Sequence, residues 1–387
     1  MSPATAAPAR RRRFLHLPAF FFDYLLALPV GCVVALVWVN GWPESYYRFA
    51  QTLDFSVNNV GIVFFFALIT KEVIEAALPG GVLHPWRRAA LPVVAAFGAV
   101  LVPIACYVAY LTAIGEPMLI SMWMVPCGVD IAASYLVARL IFGRHPALPF
   151  LILLAISANA IGMACLAVLR PIGDANLALG LGLMAAALVL AGALRLRRVK
   201  SFWPYLIGPG ALSWWALFLA GVHPALALVP IMPFLPHAAR DAGLFVDPAP
   251  RARDALTKFE RWWLLPVQGV LFLSGLVNAG VPLHGLEAGM WAIPIATLIG
   301  RPLGVVMAAW LALAVGLRLP HRIGWRALLV IGSTASIGLA MTLFFAAASV
   351  PLGPLLSELK MGALLTVGGA GLAFAAARVL RVGRFAR

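Results

Sequence analysis

The sequence predicts an all-α, polytopic membrane protein, and three observations carry that prediction. Apolar residues make up 63% of the 387 residues and charged residues only 11%, against about 25% charged in a typical water-soluble domain. The apolar residues fall in long blocks, among them 19–38, 89–111, 177–194 and 361–377. Blocks of about 20 residues match the hydrocarbon thickness of a bilayer. The arginines concentrate in the connections and at both ends of the chain, the asymmetry expected of cytoplasmic loops.

These observations exclude other classes. Shorter segments of alternating polarity, the mark of a membrane β-barrel, are absent from the sequence. The net charge of +15 suggests a nucleic-acid partner, but charge scattered through loops between apolar blocks makes no binding stripe. The expected partner is therefore the lipid bilayer, with no nucleic acid. The cysteines Cys32, Cys106, Cys127 and Cys165 all lie inside apolar blocks and read as small buried hydrophobes. They offer no metal spacing and no disulfide framework. No nucleophile–base pair, metal cluster or phosphate loop marks an enzyme, and no cofactor is implied.

Taken in order, the blocks give roughly twelve spans, centred near residues 30, 67, 100, 128, 158, 184, 210, 228, 272, 303, 338 and 369. The run Arg10 to Arg13 before the first block resembles a signal peptide. The block is long for one and no small-residue cleavage site follows, so it reads as a retained helix with a cytoplasmic N-terminus. Arg87 and Arg88 follow the second span and Arg144 the fourth. Arg195, Arg197 and Arg198 follow the sixth, Arg318 and Arg322 the tenth, and Arg381, Arg384 and Arg387 the last. Both termini are thus expected on the cytoplasmic side of a cell inner membrane. The chain divides into a basic tail at 1–18, one transmembrane domain at 19–380 with a cytoplasmic linker at about 237–261, and a tail at 381–387.

Two spans are interrupted at their middles. The fourth contains Pro126, Gly128 and Asp130; the eleventh contains Gly332, Ser333, Thr334, Ser336 and Gly338. Pro and Gly at that depth free backbone groups that must face a cavity or find partners. Broken spans at corresponding positions of two halves point to a transporter's binding site. Unwinding is expected near Gly128 and across 333–336, with the two spans crossing near the midplane.

Ionisable groups inside the membrane are expensive and mark function. Asp130, beside the break in the fourth span, leads them; its alternative role is to compensate helix N-termini. Arg301 keeps its charge at any accessible pH. It can pair with a carboxylate, hold an anion, or compensate the C-terminal ends of half-helices. Lys71, Glu72 and Glu75 form either a snorkelling interfacial cluster or part of a cytoplasmic funnel. Asn58 and Asn59 read as caps at the start of their span. Asn159 and Ser157 lie in the middle of the fifth span, where an amide usually bonds between helices. His223, at the outer mouth of the eighth span, is structural or a pH-responsive group.

Seven stretches together resemble the NhaA-type sodium/proton antiporter family. They are VNNVGIVFFFA from Val57, EV at Glu72, PCGVDIA from Pro126, GVH ending at His223, VNAGV from Val277, GRPLG from Gly300 and IGLAMT from Ile337. The likeness runs in order from about residue 30 to 380. It implies twelve spans built as inverted repeats, with two broken helices that cross. It also implies exchange of Na+ or Li+ for H+, with a midplane aspartate matched by Asp130. The family's basic residue on the tenth span is matched by Arg301. An adjacent acidic pair on the fifth span falls instead on Ala158 and Asn159. The residue before Asp130 is Val129 rather than threonine, and the aspartate of the second span is replaced by Asn59.

A neutral amide can ligate a cation but releases no proton, so the expected activity is secondary transport with altered or lost sodium/proton coupling. The ion-binding set is then Asp130, Asn159 and Ser157. Alternatives are transport of an anion or another small solute, or a transport-dead homologue serving as a structural or sensing subunit. A homodimer is compatible with the sequence.

Overall fold

Backbone groups in lipid must be satisfied within the helix that carries them, and every regular element among the described residues is helical. The computed structural model describes residues 27–77, 86–143, 145–169, 176–236, 254–283, 287–319, 323–350 and 353–386. The basic tail at 1–18, most of the expected linker, and Arg144 lie outside them.

The described residues open with α1 (Ala27–Gly41) and α2 (Pro43–Phe55), which continues through a π-helical turn, Ser56–Gly61, into α3 (Ile62–Ala77). Next come α4 (Trp86–Ile114), α5 (Ile131–Phe142), α6 (Ala147–Leu169) and α7 (Leu177–Leu196). The second half holds α8 (Ala211–Leu219), α9 (Ala255–Asn278), α10 (Arg301–Ala314), α11 (Trp325–Ala335), α12 (Leu339–Ser349), α13 (Pro354–Leu365) and α14 (Gly368–Val379). Among the described residues, seven helical stretches are long and apolar enough to cross a bilayer, and α11 with α12 makes an eighth if that pair, bent by 49°, is one span. The surface facing outward is apolar, with Val33, Val37, Leu101, Val189 and Trp310 exposed, as lipid contact requires.

The twelve expected spans follow one another in order, but three differ in form. The second starts at Pro43 rather than near Asn58. Pro43 opens α2 at a position where its missing N–H is harmless, and the polar residues Glu44, Arg48 and Asp54 stay helical beyond it. Asn58 and Asn59 are therefore inside a π-helical turn and cap nothing. The eighth span is no regular helix: 3-10 turns at Pro224–Leu226 and Met232–Phe234 flank a run of turns. Pro224, Pro230, Pro233 and Pro236 explain this, since each removes a backbone donor and clashes with the preceding turn. The eleventh breaks at residues 336–338 instead of 333–336, where Ile337 O accepts from Asp130 N–H and Gly338 lies against Gly128; Ser333 stays within α11.

Helix α4 lies against α10 at a contact of two glycines. A Cβ on Gly98 would stand 2.1 Å from Gly304 O, and one on Gly304 2.1 Å from Gly98 O. Small residues of this kind let membrane helices approach backbone to backbone. The contact fixes Arg301, at the head of α10, beside Ala99 of α4.

Candidate functional site

The site grows from the two breaks. In the fourth span a 3-10 turn, Val125–Cys127, gives way to extended backbone at Gly128 and Asp130 before α5 begins. In the eleventh, α11 ends at Ala335 and α12 restarts at Leu339. The unwound segments cross in contact: Asp130 N–H donates to Ile337 O at 2.8 Å. A Cβ on Gly128 would meet Thr342 N at 2.7 Å, and one on Gly338 would meet Gly128 O at 2.9 Å. Only glycine lets the two backbones pass this closely.

The crossing leaves four half-helix ends inside the protein, two N-terminal and two C-terminal, with unsatisfied backbone groups at each. Asp130 serves both N-terminal ends. Its Oδ1 accepts from Ala133 N–H of α5 at 3.0 Å, and its Oδ2 accepts from Ala340 N–H of α12 at 3.2 Å. A carboxylate is suited to this position by charge as well as by hydrogen bonding.

Arg301 serves the opposite ends. Its Nη1 donates to Gly128 O at 3.0 Å and Ala335 O at 2.8 Å, its Nη2 donates to Pro126 O, and its Nε donates to Ala99 O at 3.2 Å. The side chain is fully buried. Of the three roles open to it from sequence, the geometry matches compensation of C-terminal ends. Asp130 and Arg301 form no ion pair among the described residues.

Asn159, on α6, closes a two-bond ring with the extended chain. Val129 N–H donates to its Oδ1 at 2.8 Å, and its Nδ2 donates to Val129 O at 2.9 Å. The amide thus pairs with the unwound segment as a neighbouring strand would. Ala158, beside it, is wholly packed in the core. Ser157 is half-buried and makes no hydrogen bond with Asp130 or Asn159, so the structure joins Asp130 to Asn159 only through Val129.

The remaining sequence candidates lie elsewhere. Lys71 is 4% exposed and pairs with Glu260 of α9 at 3.1 Å, so it does not snorkel to the surface. Glu72 and Glu75 share its helix, with side chains outside the described residues. His223 is buried, not at an open mouth. Its Nδ1 accepts from Ala225 N–H at 3.2 Å to cap the turn at Pro224, and its ring stands edge-on to Phe344 with centroids 4.9 Å apart.

Sequence reasoning missed several contacts. Thr366 Oγ1 accepts from Gly338 N–H at 3.1 Å, Ser134 Oγ donates to Thr334 O at 2.9 Å, and Ser336 Oγ donates to Thr297 O at 2.7 Å. Each is a hydroxyl tying a break to a neighbouring helix, and only its place inside an apolar span hinted at that. Asn58 and Asn278 form a reciprocal amide pair, at 3.0 and 2.8 Å.

Comparison with known proteins gives consistent matches over nearly the whole chain. A family model described as Na+/H+ antiporter 1 matches residues 26–378. The Na(+)/H(+) antiporter NhaA 1 of Pelobacter propionicus is 40% identical over 373 residues, covering 94% of this chain and 97% of the relative. The NhaA antiporters of Geobacter metallireducens and Desulfitobacterium hafniense are each 39% identical, covering 94% of this chain and 97% and 96% of the relatives.

Proposed function

The chain belongs to the NhaA-type Na+/H+ antiporter family, and from that premise we propose that it is a secondary transporter exchanging Na+ or Li+ for H+ through one midplane carboxylate, Asp130. The relatives' shared name supports the exchange. The observation that carries the residue assignment is Asp130's position, bridging the N-terminal ends of α5 and α12 at the crossing.

Three features favour an ion site there. Each carboxylate oxygen accepts one backbone N–H and keeps a lone pair for a proton or a cation. Arg301 is turned away to backbone carbonyls, so no fixed counter-charge holds the carboxylate ionised. Asn159 Oδ1, engaged with one N–H, retains a lone pair of the oxygen type that hard cations take.

One carboxylate holds one proton or one monovalent cation, and the two exclude each other. Exchange through Asp130 alone is therefore one for one and moves no net charge. The chain sits in a bacterial inner membrane with both termini on the cytoplasmic side, a reading that rests on the arginine asymmetry.

A second reading is favoured by the same geometry: a carboxylate that caps two helices has a structural reason to exist, as a transport-dead homologue requires. Reconstituted vesicles carrying an internal pH dye separate the two. Sodium and lithium pulses are expected to shift internal pH in vesicles of the native chain and not in those of Asp130→Asn. No response to any cation from the native chain supports the structural reading instead.

A further inference from the structure

A second polar constellation lies far from the crossing. Asp54 and Lys71 belong to one continuous helical stretch, Pro43–Lys71, and at 1.5 Å per residue they stand about 25 Å apart along it. Asp54 is thus at the end opposite the arginine-rich loops. There a cavity of about 260 Å³ is lined by Tyr46, Gln51, Asp54, Asn278, Ala347 and Lys360, among others.

Lys360, on α13, is 6% exposed, yet it makes no hydrogen bond and no ion pair among the described residues. A buried ammonium without a hydrogen-bond partner is costly, and the opposite charge that acts on it is that of Asp54, so a cation arriving at that carboxylate competes with it. The available carboxylate is Asp54, held instead by Asn58 Nδ2 at 2.8 Å.

The amides behind Asp54 define what the cavity accepts. Asn58 Nδ2 donates to Asp54 and to Asn278 Oδ1; Asn278 Nδ2 donates to Asn58 Oδ1 at 2.8 Å and Ser274 Oγ at 3.2 Å. Every amide hydrogen of the pair is engaged within the protein, while each amide oxygen keeps a lone pair. Tyr46 Oη is likewise committed, accepting from Gly280 N–H at 3.0 Å and donating to Leu276 O at 2.8 Å. Apart from Lys360, the buried polar groups at the cavity thus present oxygen acceptors, which suit a hard cation and repel an anion.

One helix runs from the crossing to the cavity. Helix α12 starts where Ala340 N–H meets Asp130 and ends beside Ala347 and Val350, which line the cavity.

We propose that this cavity is a second cation site, on the side opposite the basic loops, where a monovalent cation bound by Asp54 and Asn278 Oδ1 competes with the Lys360 ammonium. The inference rests on the exchange reading above for the identity of the cation, Na+ or Li+. The ammonium occupies the carboxylate's field when the site is empty, and the cation displaces it on entry. Without Lys360 the cation binds more tightly; without Asp54 it does not bind.

The test reads occupancy rather than transport. Gln51 lines the cavity and is exposed, so Gln51→Cys in the full chain reports access to a membrane-impermeant maleimide, with the unsubstituted chain as background. Replacing choline chloride by sodium chloride at constant ionic strength is expected to slow labelling several-fold. Adding Asp54→Asn should abolish the protection, and adding Lys360→Gln should move half-protection to roughly tenfold lower sodium. Adding Asp130→Asn should leave protection intact. No protection by sodium, or protection unchanged in both cavity variants, overturns the proposal; so does protection lost only with Asp130→Asn. Protection that persists in vesicles showing no exchange keeps the cavity site and removes the exchange reading.

Discussion

The crossing and the opposite cavity handle buried charge in contrasting ways. At the crossing each charged group is matched to the helix ends it serves: Asp130 takes two backbone N–H groups, and Arg301 donates to four carbonyls. At the cavity the exposed carboxylate of Asp54 accepts from an amide, and the buried Lys360 ammonium makes no hydrogen bond and feels that carboxylate only across space. A satisfied polar network rigidifies what it touches, and the bonds of Arg301 lock both breaks. A charge left without a partner holds a position open. The lesson is that burial alone does not separate structural from functional charges; the list of partners does.

That contrast is broken most severely at Arg301. Arg301→Met removes the donors to carbonyls at both breaks at once, and each buried carbonyl left without a partner costs about 1–3 kcal/mol. The expected outcome is the largest fall in melting temperature of any substitution discussed, read by thermal-shift fluorescence in detergent. Arg301→Lys, which keeps the charge but loses the planar fork, should lie between it and the native chain.

Asn159→Ala comes next. It orphans the N–H and C=O of Val129 in a buried segment, at about 1–3 kcal/mol for each unsatisfied group. Thermal shift should report a fall smaller than that of Arg301→Met. Asn159→Asp tests the same ring, because a carboxylate can accept from Val129 N–H but cannot, when ionised, donate to Val129 O. It should destabilise at high pH and recover as the pH is lowered enough to protonate it.

The smallest effect, and one of opposite sign, is expected at Lys360. Lys360→Met deletes a buried ammonium that makes no hydrogen bond and replaces it with a side chain of similar length. Melting temperature should hold or rise, whereas the same change of residue at Arg301 lowers it. A fall at Lys360 comparable to that at Arg301 ends the comparison between the two regions.

Much of the scaffold was legible in the sequence. Apolar blocks set the spans, arginines suggested their orientation, and Pro126, Gly128 and Gly338 marked the breaks, because proline and glycine act on the backbone locally. Asp130 stood out for the same local reason, as a charge beside a break. What could not be read was the identity of distant partners. Asn58 and Asn278 are 220 positions apart, and Lys71 meets Glu260 across two helices; residue spacing carries no record of such pairs. The eighth span was read as helix because composition alone cannot tell an apolar helix from an apolar run of turns, although its four prolines held the correction. The displaced break in the eleventh span reflects where the fourth span crosses it, since Asp130 N–H meets Ile337 O and Gly338 lies against Gly128, another contact between residues distant in the chain.

The central claim is that one carboxylate carries the exchange, and the membrane potential tests it directly. Vesicles of the native chain, with internal pH followed by dye, would receive sodium with the potential either clamped by potassium and valinomycin or left free to build. Coupling through Asp130 alone predicts the same exchange rate and end-point in both conditions, with no rate enhancement from an imposed potential and no signal from Asp130→Asn. Exchange that stalls when the potential is free and accelerates when it is clamped would contradict the account, since it requires a second titrating group that Ala158 and Asn159 do not supply.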